Sequence, residues 1–498
     1  MLARRSLFLA ALTNWLPFVA TLLVAFFIAP YLIRMLGDAQ YGVWVFIESI
    51  LAYFTLFDLG IAACVVRFVA KFRATGEQKE LNRLVSASLL IFLIVGGIVF
   101  LLGMVCTPLF LNSLSEGSEV NPREMWAFTL LMFGNLAFTL PLSLFPAILD
   151  GLERFAAKSV IRIFFLIVRT GGTIWLMEVQ PSLLALGILF TITNLLEHLC
   201  IVLACFRSLP GLRFSFRGID RETLRLVRGY SLNAFLAMVA GRICIQSASI
   251  LIGLFLTAPH ITWYAIASRL VEFSKSLLRS ALLTLTPAFS SLEAKQDHAG
   301  MRLLFLQATR WGLYLILPVQ IGLVLFGKSF LTIWLHSEEY VRWCYPSLVI
   351  LSSTLALVIA QSTAARICYG TGNLRGFARL SLLEAGVNLL LSLILIGPFG
   401  IEGVAIGSAV ANLFFCLLVI ISVCRTLQIN VNEYLLRCWF KPLLISSGLI
   451  TLWLVLDYPV RNWVEFLQIL SFGLLPYGLA VWGWERPGKI QQASVSEL

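Results

Sequence analysis

Arg169, Arg242 and Arg269 each stand inside apolar runs of about 20 residues, the length that crosses a bilayer as a helix. Placing an arginine at the centre of such a helix costs about 2.5–3.5 kcal/mol on the insertion scale. Arg169, about thirteen residues into its run, and Arg242 lie too near mid-depth to reach either interface by extending. A guanidinium offers paired donors that match phosphate or carboxylate oxygens, so the chemistry these residues point to is anion binding within a membrane. Their neighbours share their faces. At 100° per residue Arg242, Gln246 and Ser249 align, as do Arg162, Arg169 and Thr173, and Ser381, Glu384 and Asn388. Arg269, Glu272, Lys275, Ser276 and Arg279 fall within an arc of roughly 120°, and Glu48, Thr55 and Asp58 within about 80°. Charges confined to one face of several helices, with Glu48, Asp58, Glu272 and Glu384 among them, point to a common polar interior, wet or ligand-filled.

Plainer roles compete for several of these residues. Arg162, Lys275 and Arg279 can snorkel to an interface, and Arg269 can pair with Glu272 at i, i+3. Glu197 and His198 fall within two turns of the end of their run and read as interfacial. Pro17, Pro30, Pro141 and Pro318 interrupt helical runs and favour kinks. With Asn14 and Thr21 nearby, Pro17 is the hinge candidate.

The elements that must position these side chains follow from composition. Of 498 residues, 59% are hydrophobic and 13% charged, about half the charged share of a soluble chain. The fold class is all-α and polytopic, with about fourteen spans. They run approximately over residues 12–33, 41–66, 84–111, 125–149, 159–177, 183–206, 230–256, 261–289, 311–335, 345–368, 380–397, 404–424, 443–456 and 464–482. The first reads as a retained span rather than a cleaved signal. About 27 of the 37 Lys and Arg fall in alternate connections, the longest of them from Arg207 to Arg228. By the positive-inside rule that side is cytoplasmic and carries both termini. The net charge of +11 is therefore topology and not a nucleic-acid footprint. No connection is long enough for a soluble domain.

Other chemistry finds little support. Gly322 to Ser329 matches the P-loop pattern formally, but its filler is apolar helix. The ten cysteines form no C-x-x-C and read as small buried hydrophobes, and the four histidines are scattered. No metal site and no cofactor is expected. A membrane-embedded polymerase or glycosyltransferase would need a long outer loop with acidic or His residues, and the longest, Asn112 to Glu124, is short. A multidrug or cation exporter would favour a more acidic, aromatic cavity.

The halves repeat weakly at an offset of about 220 residues. Tyr41-Gly-Val-Trp44 corresponds to Ile261-Thr-Trp-Tyr264, Phe110-Leu111 to Phe330-Leu331, and Gly151 to Gly370. Residues 1–206 form an N-lobe of six spans, 207–228 a basic cytoplasmic linker, 229–425 a C-lobe of six, and 426–498 an extra helix pair. The stretch from Leu36-Gly-Asp-Ala-Gln-Tyr41-Gly-Val-Trp44 through Asp58 to Arg67 resembles the N-terminal signature of polysaccharide flippases. So do Tyr264-Ala-Ile-Ala-Ser-Arg269 to Ser290, and Gly370-Thr-Gly-Asn through Asn388 to Gly407. The chain is thus similar to the Wzx-type translocases of the multidrug/oligosaccharidyl-lipid/polysaccharide exporter (MOP) superfamily.

The resemblance implies two pseudo-symmetric six-helix lobes around a V-shaped cavity that work by alternating access. It implies a cargo of undecaprenyl-pyrophosphate-linked oligosaccharide, moved to the outer leaflet of a bacterial inner membrane for O-antigen or exopolysaccharide synthesis. Partners would be the lipid-linked sugar, membrane lipid, and the polymerase and glycosyltransferases of the same pathway. Arg169, Arg242, Arg269 and Gln246 would then attract the head group, and Glu48, Asp58, Glu272 or Glu384 would bind a coupling proton or sodium ion, since a carboxylate facing a cavity can change protonation between states.

Overall fold

The computed structural model describes residues 2–58, 61–115, 121–215, 232–456 and 460–485, and within them every regular element is a helix. In chain order these are α1 Leu2–Phe54, α2 Ile61–Thr75, α3 Gln78–Ser115, α4 Pro122–Leu142, α5 Leu144–Gly151, α6 Phe155–Val179, α7 Leu183–Ser208 and α8 Leu232–Phe255. There follow α9 Ala258–Leu282, α10 Leu285–Ala294, α11 His298–Leu335, α12 Glu338–Ser352, α13 Leu355–Gly370, α14 Leu374–Thr426, α15 Val431–Leu456 and α16 Trp463–Glu485. A π turn over Leu435–Phe440 lies within α15.

Two elements are too long to be single crossings. At 1.5 Å per residue the 53 residues of α1 and of α14 would each measure about 80 Å, against a hydrocarbon core of about 30 Å. Each is broken by one glycine. Gly37 (φ 76°, ψ 169°) cuts α1 and Gly400 (φ 56°, ψ −133°) cuts α14, both at positive φ, where a side chain would be strained. The bend of α1 therefore sits at Gly37 and not at the hinge candidate Pro17. Helical angles continue through Pro17, whose carbonyl accepts from Thr21 Oγ1 at 2.7 Å. Ten helices are long and apolar enough to cross a bilayer, eleven when the bent α12–α13 pair counts as one. Splitting the two kinked rods and adding α9, long but charged, reaches the fourteen expected spans.

By packing the chain divides into two units, Met1–Thr262 and Trp263–Leu498. In the first, α8 packs on α1 and α3, and α6 packs between α1 and α7. Close approach is set by glycine. A Cβ at Gly42 would stand 2.0 Å from the Ala258 carbonyl oxygen, and one at Gly253 would enter the Phe46 ring. Trp44 stacks beside Phe128 and Phe190. The Tyr41-Gly-Val-Trp44 segment is thus a packing device of the first unit.

The internal repeat is structural. Helices α3 and α11 are both 38 residues long, and the α6–α7 hairpin corresponds to the two arms of α14. Gly151 fits against the Val66 carbonyl, and Gly370 against Phe289 and the Thr286 carbonyl. In each half of the repeat the chain leaving the sixth span is tied to the start of the third. Gln78 and Asn82 donate to the Gly211 carbonyl in the first unit, and Arg302 donates to the Leu427 carbonyl in the second. The linker's opening residues are held this way, with Leu212 buried among α2, α3, α5 and α7; residues 216–228 lie outside the described residues.

Candidate functional site

In the first unit the polar side chains gather on α6 and α7. These helices face lipid over much of their surface, with Phe164, Ile167, Trp175, Ile192 and Leu199 exposed. The sequence of α7 places Phe190, Thr193, Asn194, Glu197 and His198 at i, i+3, i+4, i+7 and i+8, a single stripe. Arg169 of α6 lies against it. Its Nε donates to Thr193 Oγ1 at 3.1 Å, an Nη donates to Glu197 Oε2 at 3.1 Å, and the guanidinium covers the Phe190 ring at 5.2 Å. The Arg169 and Glu197 side chains keep 24% and 15% of their exposure. Such a pair offsets much of the cost of a charge at this depth. Beside it, Asn194 donates to Asn135 Oδ1 of α4 at 3.1 Å.

Arg242 differs. It is half-buried on α8, with Gln246 half-buried one turn on and Ser249 buried after that. Arg242 forms no ion pair among the described residues. Glu48 is exposed on α1, within a run from Tyr41 to Ile50 that is otherwise buried. The side chain of Asp58 lies outside the described residues.

The second unit holds a second cluster. On α9, Glu272 pairs with Lys275 at 2.7 Å and with Arg279 at 3.9 Å. Arg269 is half-buried two turns before Ser276. On the first arm of α14, Glu384 accepts from Asn412 Nδ2 of the second arm at 2.9 Å. Ser381 and Asn388 flank it and are buried, and Asn388 Oδ1 has no hydrogen-bond partner.

The expected residues therefore fall in both units. Arg169, Arg242 and Gln246 belong to the first, and Arg269, Glu272 and Glu384 to the second. Glu197, read from sequence as interfacial, is instead the partner of Arg169; the i, i+3, i+4 stripe on α7 was the signal that could have found it. Asn412 had no such signal. The P-loop pattern forms part of the unbroken helix α11, and Lys328 lies over the Tyr345 ring at 5.2 Å. Cys64, Cys205, Cys344, Cys416, Cys424 and Cys438 are buried, as small hydrophobes are.

Comparison with known proteins places these features. The family model described as "Lipid II flippase MurJ" matches residues 59–479. Over 412 residues the chain is 23% identical to an uncharacterized membrane protein, EpsK, of Bacillus subtilis, covering 80% of this chain and 79% of that one. It is 24% identical over 224 residues to the probable low-salt glycan biosynthesis flippase Agl15 of Haloferax volcanii, covering 44% of this chain and 46%, about half, of that relative. The fold is similar to lipid II flippase MurJ in an inward closed conformation, with TM-score 0.76 and 17% identity over 96% of this chain and 98% of that one. It is also similar to an inward-facing multidrug resistance MATE transporter of the MOP superfamily, with TM-score 0.67 and 13% identity over 81% and 94%.

Proposed function

From the premise that this chain belongs to the lipid II flippase MurJ family, a family of multi-pass membrane transporters and not of enzymes, we propose that it moves an undecaprenyl-pyrophosphate-linked oligosaccharide from the cytoplasmic to the outer leaflet. The product would feed cell-surface polysaccharide synthesis, of O-antigen or exopolysaccharide type. The observation that carries this reading is Arg242, a half-buried guanidinium on a membrane-spanning helix with no ion pair among the described residues. An arginine held so is stable when an anion comes to it, and a diphosphate supplies oxygens in matching pairs. The glycan flippase name of the Haloferax volcanii relative supports a sugar-bearing lipid as cargo.

Within this reading Arg242, Gln246 and Arg269 are the residues that bind the head group. Arg169 joins them by exchanging Glu197 for phosphate. Glu384, held by Asn412, is the leading candidate for the coupling proton or sodium ion, with Glu48, Asp58 and Glu272 as the others. Cycling is by alternating access, in a bacterial inner membrane with both termini cytoplasmic, and Pro17 remains the hinge candidate beside the break at Gly37. Polymerase and glycosyltransferases of the same pathway are the expected partners.

The test is a deletion strain carrying the wild-type or the Arg242→Ala chain, with lipid-linked oligosaccharide and surface polysaccharide both quantified. The expected result is intracellular accumulation and lost export at unchanged protein abundance. Unchanged export overturns the assignment of Arg242, and sensitivity to cationic dyes without glycolipid accumulation would favour a drug exporter instead.

A further inference from the structure

Where α9 and α13 end, at the arginine-rich end of the second unit, one guanidinium has no counter-charge among the described residues. Arg366 stands about one turn before the end of α13 and is half-buried. Its Nε is sealed from solvent and has no hydrogen-bond partner. Its contact is the face of the Tyr369 ring, 5.0 Å away, and that ring packs edge-on to Phe377 of α14 at 5.7 Å. A cation over an aromatic face gains little beside what an anion supplies.

The surrounding charges sharpen the imbalance. Arg279, in the last turn of α9, lies within electrostatic range of Arg366 and carries the same sign. Glu272 is already engaged by Lys275 and Arg279. Glu384 accepts from Asn412 and lies within range of Lys275 and Arg279. Three cations thus share two carboxylates, and the uncompensated charge rests on the residue with the buried, unused donor. Nothing in the position compels this. A snorkelling arginine would carry its whole guanidinium into water, whereas here the inner edge of the group is enclosed and the outer edge is open.

We propose that Arg366 and Arg279 form an anion site that takes the phosphate of a lipid headgroup arriving from the adjoining leaflet. The phosphate supplies acceptors to the Arg366 guanidinium and offsets the like charge of Arg279. The ligand is either a diphosphate-linked lipid, in which case the site rests on the transport reading above and lies outside the head-group residues named there, or an anionic phospholipid.

The experiment uses the full chain. In detergent, thermal stability is titrated with inorganic pyrophosphate; in nanodiscs of phosphatidylglycerol and phosphatidylcholine, retained lipid is counted by native mass spectrometry. Wild type, Arg366→Gln and Arg366→Lys are compared, the last preserving charge and serving as the folding control. Losing a charge-assisted pair should weaken pyrophosphate binding about tenfold in Arg366→Gln, with Arg366→Lys between. If pyrophosphate has no effect but Arg366→Gln loses retained phosphatidylglycerol, the site stands with a phospholipid as its ligand. If both readouts are the same in wild type and Arg366→Gln, the site does not exist. Neither readout depends on export, so failure of the transport reading would leave the result interpretable.

Discussion

The Arg169 guanidinium and the Glu197 carboxylate lie 3.1 Å apart across the α6–α7 hairpin, and Arg169 Nε donates to Thr193 beside them. The corresponding arms of α14 carry a link of opposite sense, an acid on the first arm, Glu384, and a donor on the second, Asn412. Both halves of the repeat thus have a polar tie between their fifth and sixth spans, but the acid stands on the sixth in the first half and on the fifth in the second. The two ties have different consequences for substitution.

Arg169→Gln should destabilise the chain by about 3 kcal/mol, because Glu197 is then left charged at depth without a partner. Thermal melts in detergent would show it. The double substitution Arg169→Gln with Glu197→Gln removes both charges and should recover most of that loss. Export by the double variant is the informative reading. Loss of export at recovered stability assigns Arg169 to the ligand, and normal export assigns it to structure alone.

Arg242→Gln should behave in the reverse way. With no ion pair to break among the described residues, stability should change little, while export should fall about tenfold or more through loss of a charge-assisted contact. Quantitative export against abundance checks both halves. A fall in abundance matching the fall in export would mean that Arg242 holds the fold.

Much of this was legible before the coordinates. The fourteen spans, the repeat and the faces bearing Arg169, Arg242 and Glu384 follow from hydropathy and a 100° period, which the bilayer enforces strongly. What sequence could not give was pairing between helices. Glu197 lies near the end of its run by counting, yet α6 and α7 are antiparallel neighbours and bring it to Arg169. The static break in α1 was hidden for a related reason. Pro17 draws attention because it lacks an N–H, but a helix can carry a proline with its neighbours' help, whereas Gly37 takes a positive φ that residues with a Cβ resist.

Gly42→Ala tests the reading of Tyr41-Gly-Val-Trp44 as packing. The added Cβ would lie 2.0 Å from the Ala258 carbonyl, which is backbone and cannot rotate aside. Overpacking of this kind costs about 1–3 kcal/mol or more, so abundance in membranes should fall severalfold. Gly97→Ala, where nothing stands within 4 Å, should leave it unchanged. Equal abundance of the two variants would contradict the close approach of Gly42 to Ala258.

Glu384→Gln should separate coupling from structure. The amide oxygen can still accept from Asn412 Nδ2, so stability should stay within about 1 kcal/mol of wild type. The ionisable group is gone. In proteoliposomes, transport driven by an imposed proton or sodium gradient should drop to the rate seen without a gradient. A variant that still responds to both gradients moves the coupling role to Glu48, Asp58 or Glu272.

Glu485 ties the last helix to the second unit. It receives Arg310 of α11 at 2.8 Å and the Tyr314 hydroxyl at 3.2 Å, and stands 3.9 Å from Lys441 of α15, with 12% of its side chain exposed. Apolar packing joins the same helices. Trp453 and Ile469 are buried together, and the Tyr477 hydroxyl donates to the Tyr314 carbonyl at 2.9 Å. Glu485→Ala removes the anion but leaves Arg310 enclosed, which should cost about 3 kcal/mol. Replacing both partners, Glu485→Met with Arg310→Met, removes the stranded charge and should restore most of the melting temperature. The contrast decides what holds α15 and α16 in place. If the double variant melts near wild type while Glu485→Ala melts well below it, the apolar seam is sufficient and the ion pair serves to fix register. If both melt low, the charges themselves hold the pair to α11.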